Sequence, residues 1–236
     1  MLKFDGAHPA LSHALEKRGY ETLTPVQEEV LNTELLGRDL LVSAQTGSGK
    51  TVAFGLAFAP DLLGEAERFT NSGAPLALIV APTRELAIQV SEAIEQFAKN
   101  MKGLRVATVY GGQSYGPQFA QIERGAQVIV GTPGRMMDHL RRKSLKLDNV
   151  KFCALDEADE MLNMGFLEDI EWILDHLSEE TQMALFSATM PPQIRKIANR
   201  FLKDPEHLRV APVKKVKANI TQLVWKVSVL NKKTAL

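Results

Sequence analysis

Short apolar runs recur along the chain, and helical patterns fill the intervals between them. The runs Asp39–Ser43, Leu76–Ala81, Val106–Tyr110, Gln127–Gly131, Val150–Leu155, Met183–Ser187 and Leu208–Val210 are predicted strands. The stretch LALIVA at 76–81 has no polar residue, as suits a strand covered on both faces. Over Arg84–Lys99, Leu86, Val90, Ala93, Ile94 and Phe97 return at three- and four-residue spacing and form one helical stripe. Pro25, Pro133 and Pro191 stand where the first turn of a helix tolerates a missing N–H. Strands alternating with helices predict right-handed βαβ units and an open, mostly parallel α/β sheet with helices on both faces. Such sheets bind ligands beyond the carboxyl ends of their strands.

Composition narrows the class. The chain has 236 residues, 45% hydrophobic and 24% charged, which excludes a disordered chain, a collagen and a coiled coil. No apolar run approaches the length of a membrane span, and the start, MLKFDGAHPA, lacks a signal peptide's apolar core. The lone Cys153 forms no disulfide framework, and the five histidines show no metal-ligand spacing. These features predict a cytoplasmic protein with no membrane partner. Gly64–Pro75 reads as a polar surface loop. Ala211–Asn219 reads as a basic linker, and Thr221–Val229 alternates like the first strand of another unit. The expected division is a domain over 1–210, a linker over 211–219 and the start of a truncated second domain over 220–236.

Charge is balanced overall, with 28 bases and 28 acids, but not along the chain. The first 206 residues hold 21 bases against 28 acids, and seven bases with no acid follow Glu206. An acidic body does not draw nucleic acid by bulk charge, so any such contact is expected at a local site.

Two motifs carry phosphate chemistry. Ala44-Gln45-Thr46-Gly47-Ser48-Gly49-Lys50-Thr51 follows a predicted strand and opens a helix, the context of a phosphate-binding loop. Gly47 and Gly49 let successive N–H groups face one point, and the helix adds its positive dipole end. Lys50 can reach the β- and γ-phosphates, and the Thr51 hydroxyl can ligate Mg²⁺. Ala44 stands where such loops usually begin with glycine, which is tolerable if that position needs no positive φ. The second motif, Asp156-Glu157-Ala158-Asp159, ends the apolar run before it. Asp156 can hold Mg²⁺, and Glu157 can orient and deprotonate a water. Asp159 is placed to pair with a neighbouring loop.

At this point the chain resembles the DEAD-box ATP-dependent RNA helicases, from about Phe4 to Val210. Gly19–Gln27 (GYETLTPVQ) resembles the family's Q motif. The resemblance implies that Gln27 reads the adenine edge, that Tyr20 packs on the base and that Phe4 is the upstream aromatic. Ala81-Pro82-Thr83-Arg84-Glu85-Leu86, Gly111-Gly112 and Thr132-Pro133-Gly134-Arg135 resemble three motifs that line the family's RNA groove. They imply backbone contacts from Pro82, Thr83, Arg84, Gly111, Gly112, Thr132, Pro133, Gly134 and Arg135, though either arginine can instead brace its loop. Ser187-Ala188-Thr189 resembles the motif that couples nucleotide state to RNA binding, with Asp159 as its partner.

The resemblance implies a RecA-like P-loop domain of bacterial type, with Lys50, Asp156 and Glu157 as catalytic residues, ATP and Mg²⁺ as ligands, and RNA as partner. It also implies a second RecA-like domain in the parent chain, which supplies the arginines at the γ-phosphate. An isolated first half is then expected to bind nucleotide weakly, to hydrolyse it very slowly and not to unwind RNA. Because the groove motifs carry no exposed aromatic, the expected grip is on backbone and 2′-hydroxyls, with little sequence preference. Two other readings stand beside this one: a P-loop kinase or DNA-directed ATPase, and a non-catalytic RNA-binding module.

Overall fold

The computed structural model describes residues 4, 7–32, 35, 37–45, 47–63, 73–98 and 103–210. The expected linker and second-domain start at 211–236, Thr46, most of the 64–75 loop and the Phe97 side chain lie outside the described residues.

All seven predicted strands form: β1 (Leu40–Ser43), β2 (Ala77–Val80), β3 (Val106–Val109), β4 (Val128–Gly131), β5 (Phe152–Leu155), β6 (Gln182–Ser187) and β7 (Glu206–Arg209). They make one sheet in the order β3-β4-β2-β5-β6-β1-β7, and every neighbouring pair is parallel. This is the RecA-like α/β arrangement expected from the sequence.

Nine helices are described, and they cover both faces. α1 (Pro9–Lys17), α2 (Pro25–Glu29), α3 (Lys50–Leu63) and α4 (Arg84–Ala98) precede β3, and α5 (Tyr115–Glu123) follows it. α6 (Pro133–Arg141), α7 (Ala158–Asn163), α8 (Leu167–Leu174) and α9 (Pro192–Phe201) complete the set. Period-two alternation divides the strand side chains between the faces. Val42, Ile79, Val130, Ala154 and Phe186 meet residues of α1–α4 in one buried cluster. Leu41, Leu78, Ile129, Cys153 and Leu185 meet residues of α6–α9 in another. A strand buried on both faces has no polar side to show, which is why these runs are apolar throughout.

Pro25 and Pro133 open α2 and α6 as expected, after Thr24 and Thr132 at the caps. Pro191 does not open a helix. It sits at the cap in extended backbone, and Pro192 takes the first helical position. The residue before a proline is steered away from helical φ and ψ, so a Pro-Pro pair starts its helix at the second proline.

Candidate nucleotide and RNA site

All the motif loops leave the same edge of the sheet, because all seven strands run parallel. The strand order then sorts them. The loops after β3, β4 and β2 carry Gly111-Gly112, Thr132–Arg135 and Pro82–Arg84, side by side. The loops after β5, β6 and β1 carry Asp156–Asp159, Ser187–Thr189 and Ala44–Thr51. One half of the edge therefore holds the phosphate motifs and the other half the groove motifs. β2 and β5 are the neighbours where the halves meet.

In the phosphate half, Lys50 opens α3, and its Nζ lies 3.2 Å from Asp156 Oδ1 and 3.9 Å from Glu157 Oε1. Lys50 and Asp156 are buried, at 6% and 1% exposure. Burial pushes the Asp156 carboxyl above the usual carboxylate range, against the pull of Lys50. Glu157 is also raised, again chiefly by burial, with Lys50 opposing. Lys50 Nζ, Asp156 Oδ1 and Ser48 Oγ are buried and find no hydrogen bond among the described residues. A buried lysine and carboxylate paired with each other, beside a Ser48 hydroxyl with no hydrogen bond among the described residues, fit a phosphate chain with a bound divalent cation.

Ala44 is buried and is not among the described residues with positive φ, so alanine fits where a glycine is usual. Gln45 and Gly47 are exposed, and Thr51 is half-buried in the first turn of α3. Glu157 adopts left-handed backbone, φ 51° and ψ 51°, at the cap of α7, a costly conformation for a residue with a side chain.

Gln27 differs from a free adenine reader. It is 1% exposed, and its amide already bonds at both ends. The Thr24 N–H donates to Oε1 at 3.0 Å, and Nε2 donates to the Gly49 carbonyl at 3.1 Å. Each end keeps one unused hydrogen-bonding position, so the amide can serve a base as well as the loop. Tyr20 is half-buried against the first core cluster. Phe4 is 5% exposed within that cluster and offers no open face for stacking.

Three hydroxyl and carboxylate groups join the phosphate loops. Ser187, fully buried, accepts the Asp159 N–H at 3.2 Å and donates to the Thr189 carbonyl at 2.7 Å. The Ser187 carbonyl accepts the Ala44 N–H at 3.1 Å. The Asp159 carboxylate accepts from both the backbone and the hydroxyl of Thr189. Burial alone would raise Asp159, but the bonds from Thr189 and Ser187 outweigh it and hold the carboxyl below its usual range.

In the groove half, Gly111, Gly112 and Arg84 are exposed, and Thr83, Thr132 and Gly134 are half-buried. Thr83 Oγ1 accepts the Leu86 N–H at 3.2 Å, which leaves its proton free to donate. The Arg84 guanidinium lies 5.1 Å from the centre of the Tyr110 ring. Pro82 and Pro133 are buried, so each shapes its loop from beneath.

Arg135 is a brace rather than an open cation. It is 9% exposed, both its terminal nitrogens donate to the Gln113 carbonyl at 3.0 Å, and it lies 4.1 Å from the centre of the Tyr115 ring. Gln118 holds the other end of the same loop, donating to the Tyr110 carbonyl at 3.1 Å. His139 in turn meets Gln118 Oε1 at 3.2 Å and Ser144 Oγ at 2.9 Å. Gln113, Tyr115, Gln118 and His139 carry no motif signal, so the support behind the Gly111-Gly112 loop is not readable from sequence. Among the described residues no cluster of three metal-ligating side chains occurs, and no helix is long and apolar enough to cross a membrane.

Comparison with known proteins agrees with this arrangement. Residues 24–197 match the family model described as DEAD/DEAH box helicase. The chain is 46% identical over 231 residues to the ATP-dependent RNA helicase DeaD of Escherichia coli strain K12, covering 98% of this chain and 36% of that protein. It is 45% identical over 222 residues to the DEAD-box ATP-dependent RNA helicase CshA of Bacillus cereus, covering 94% of this chain and 41% of that protein. Its structure is similar to that of a DEAD box protein from the hyperthermophile Methanococcus jannaschii, with TM-score 0.78 and 39% identity over 86% of this chain and 54% of that one. A hypothetical ATP-dependent RNA helicase from Sulfolobus tokodaii gives TM-score 0.75 and 33% identity over 85% and 56%. The chain thus spans little more than a third of the length of these curated relatives.

Proposed function

This chain belongs to the DEAD/DEAH box helicase family, and on that premise we propose that it is the ATP- and RNA-binding half of an ATP-dependent RNA helicase core. The observation that carries the reading is the meeting of Lys50 with Asp156 at 3.2 Å, beside buried polar atoms that have no hydrogen bond among the described residues. The amide cradle of 44–51 and the Lys50 ammonium hold the phosphates. Thr51 and Asp156 would hold Mg²⁺, which neutralises charge on the β- and γ-phosphate oxygens. Glu157 accepts the proton of the attacking water. Its raised pKa makes it a stronger base than a free carboxylate. Gln27 orients the adenine while keeping its bond to Gly49, and Tyr20 flanks it.

Thr83, Arg84, Gly111, Gly112, Thr132 and Gly134 grip one RNA strand by its backbone. Pro82, Pro133 and Arg135 hold those loops in place. Asp159, Ser187 and Thr189 tie the loops of the phosphate half to one another, and through that cluster a change of nucleotide state is passed on to RNA binding. The linker at 211–219 and the second-domain start at 220–236 belong to the same proposal, as does a cytoplasmic location where RNA and ATP are at hand. The second RecA-like domain of the parent supplies the arginines that complete the γ-phosphate site, and losing such a group costs on the order of 10³–10⁵ in rate.

The test is ATP hydrolysis by the intact parent with and without RNA. RNA-stimulated hydrolysis that disappears in Lys50→Ala and Glu157→Gln is expected. Hydrolysis that ignores RNA, or follows DNA instead, overturns the reading. This chain alone is expected to turn over ATP very slowly, and robust RNA-stimulated turnover by it would refute the need for a second domain.

A further inference from the structure

α6 begins in the groove, at Pro133-Gly134, and ends in a concentration of positive charge. Arg141, Arg142, Lys143 and Lys146 lie within six residues, and all four are exposed. Among the described residues none of them forms an ion pair with an acid. Close in sequence, Asp138 accepts the Tyr115 hydroxyl at 2.8 Å and Asp148 is exposed. On α8, which packs on α6, Glu168 is exposed, and at its end Asp175 is paired with Arg200, while Arg141 lies 5.3 Å from the centre of the Trp172 ring. In a body with an excess of acids, four cations without a counter-charge stand out.

Favourable interaction with the helix dipole accounts for Arg141 and Arg142 at the C-terminus. It does not account for the two lysines beyond. Lys143 adopts left-handed backbone, φ 57°, at the position after the helix where glycine is favoured. The Lys143 side chain is exposed at this position. The turn is also rigid. Ser144 Oγ bonds the His139 ring and carbonyl, and the Leu145 N–H bonds that carbonyl too. Leu145 and Leu147 are buried on either side of exposed Lys146. The cations are therefore presented on a fixed scaffold.

The cluster adjoins the groove. The Arg142 guanidinium lies 4.4 Å from the centre of the Tyr115 ring, and Arg135 lies 4.1 Å from the same ring. Tyr115 is three residues past Gly112, a span of at most about 11 Å. Along α6, Gly134 and Arg141 are about 10 Å apart.

We propose that Arg141, Arg142, Lys143 and Lys146 form a second contact surface for RNA backbone phosphates, extending the groove for a strand that continues past Gly111-Gly112 and Gly134. The proposal rests on the groove reading above. The surface contacts phosphates only, so it adds affinity and salt dependence without sequence preference.

The test uses this chain and labelled single-stranded oligouridylates of 6 and 14 nucleotides, with anisotropy titrations at several KCl concentrations. The variant Lys143→Gly/Lys146→Ala removes two charges and relieves the left-handed backbone, so its Tm is expected to hold or rise. For the 14-mer its slope of log K against log salt is expected to become shallower by about 1.4, since each single-strand phosphate contact contributes about 0.7. Loss confined to the 14-mer supports the extension. Unchanged 14-mer binding, or equal loss for both lengths, overturns it. Arg84→Ala serves as the groove control and is expected to weaken both lengths. If it weakens neither while the double variant still weakens the 14-mer, the groove reading fails and the basic surface stands alone. Polyglutamate that displaces the 14-mer as well as unlabelled RNA does overturns the RNA assignment in favour of an acidic protein partner.

Discussion

The Asp159 carboxylate receives two bonds from Thr189, the backbone N–H at 2.9 Å and the hydroxyl at 2.8 Å. One group lies just beyond β5 and the other beyond β6, so the bond joins two adjacent loops of the phosphate half. Ser187 lies beneath and ties the Asp159 backbone to Ala44 at the start of the phosphate loop. Three loops thus share one small polar cluster, and a movement in one shifts bonds in the others.

Thr189→Val removes the hydroxyl at nearly constant volume and takes from Asp159 one of its two bonds from Thr189. The expected cost to this domain is about 1 kcal/mol. In the intact parent, ATP turnover is expected to stay within a few-fold of normal while duplex unwinding is lost, and Thr189→Ser restores it. Parallel hydrolysis and unwinding assays decide the matter; equal losses in both would contradict a coupling role.

Lys50→Ala leaves the buried Asp156 without a cation. Breaking a buried pair costs about 3–5 kcal/mol when the remaining group stays charged. Here the carboxyl is already raised by burial, so protonation relieves part of that cost. The destabilisation is expected to be smaller at pH 5 than at pH 8, because the neutral acid needs no partner. Denaturant titrations at the two pH values measure this, and a fluorescent adenine nucleotide is expected to show no binding to the variant.

Gly49→Ala would put a methyl group 2.4 Å from Gln27 Nε2 and 2.9 Å from Thr24 Oγ1, at a φ of 90°. Both the backbone and the packing resist it, at an expected cost of about 1–3 kcal/mol. Since the Gly49 carbonyl also anchors Gln27, nucleotide affinity is expected to fall for ATP and for inorganic triphosphate alike. Titrations with both ligands check that; a loss limited to ATP would mean the base site alone was damaged.

His139 is fully buried, and burial together with the nearby Arg135 lowers its pKa from 6.5 to about 4. The folded protein therefore holds the ring neutral, while the unfolded chain takes up a proton below about 6.5. Its contribution to stability is complete above pH 6.5 and is lost as pH falls toward 4, on the order of 3 kcal/mol. Melting curves between pH 7 and 4.5 are expected to fall less steeply for His139→Gln than for the native chain. Parallel curves would show that the ring is not what titrates.

Short RNA on the groove alone is expected to show a slope of log K against log salt no steeper than about −5, because few phosphates are gripped. Titration of a 6-mer over a fourfold salt range measures it.

The seven strands could be read from the chain because a strand buried on both faces must be apolar along its length, and turn residues bound each run. The phosphate and carboxylate motifs could be read because their chemistry is local. Two glycines, one lysine and one hydroxyl fall within eight residues of the sequence. The roles of Arg135 and Gln27 could not be read in this way. Each side chain is decided by a carbonyl 22 residues away in sequence, Gln113 for one and Gly49 for the other. Whether an arginine meets RNA or braces a loop depends on where that carbonyl ends up.

By itself, then, the sequence determined which segments are strands and which residues are the candidates for phosphate binding and proton transfer, since periodicity and local chemistry need no distant partner. Only the tertiary structure decided the order β3-β4-β2-β5-β6-β1-β7, which gathers the groove loops on one half of the edge and the phosphate loops on the other. Strand order follows from how the crossovers pack over the sheet, and that packing joins residues far apart in the chain.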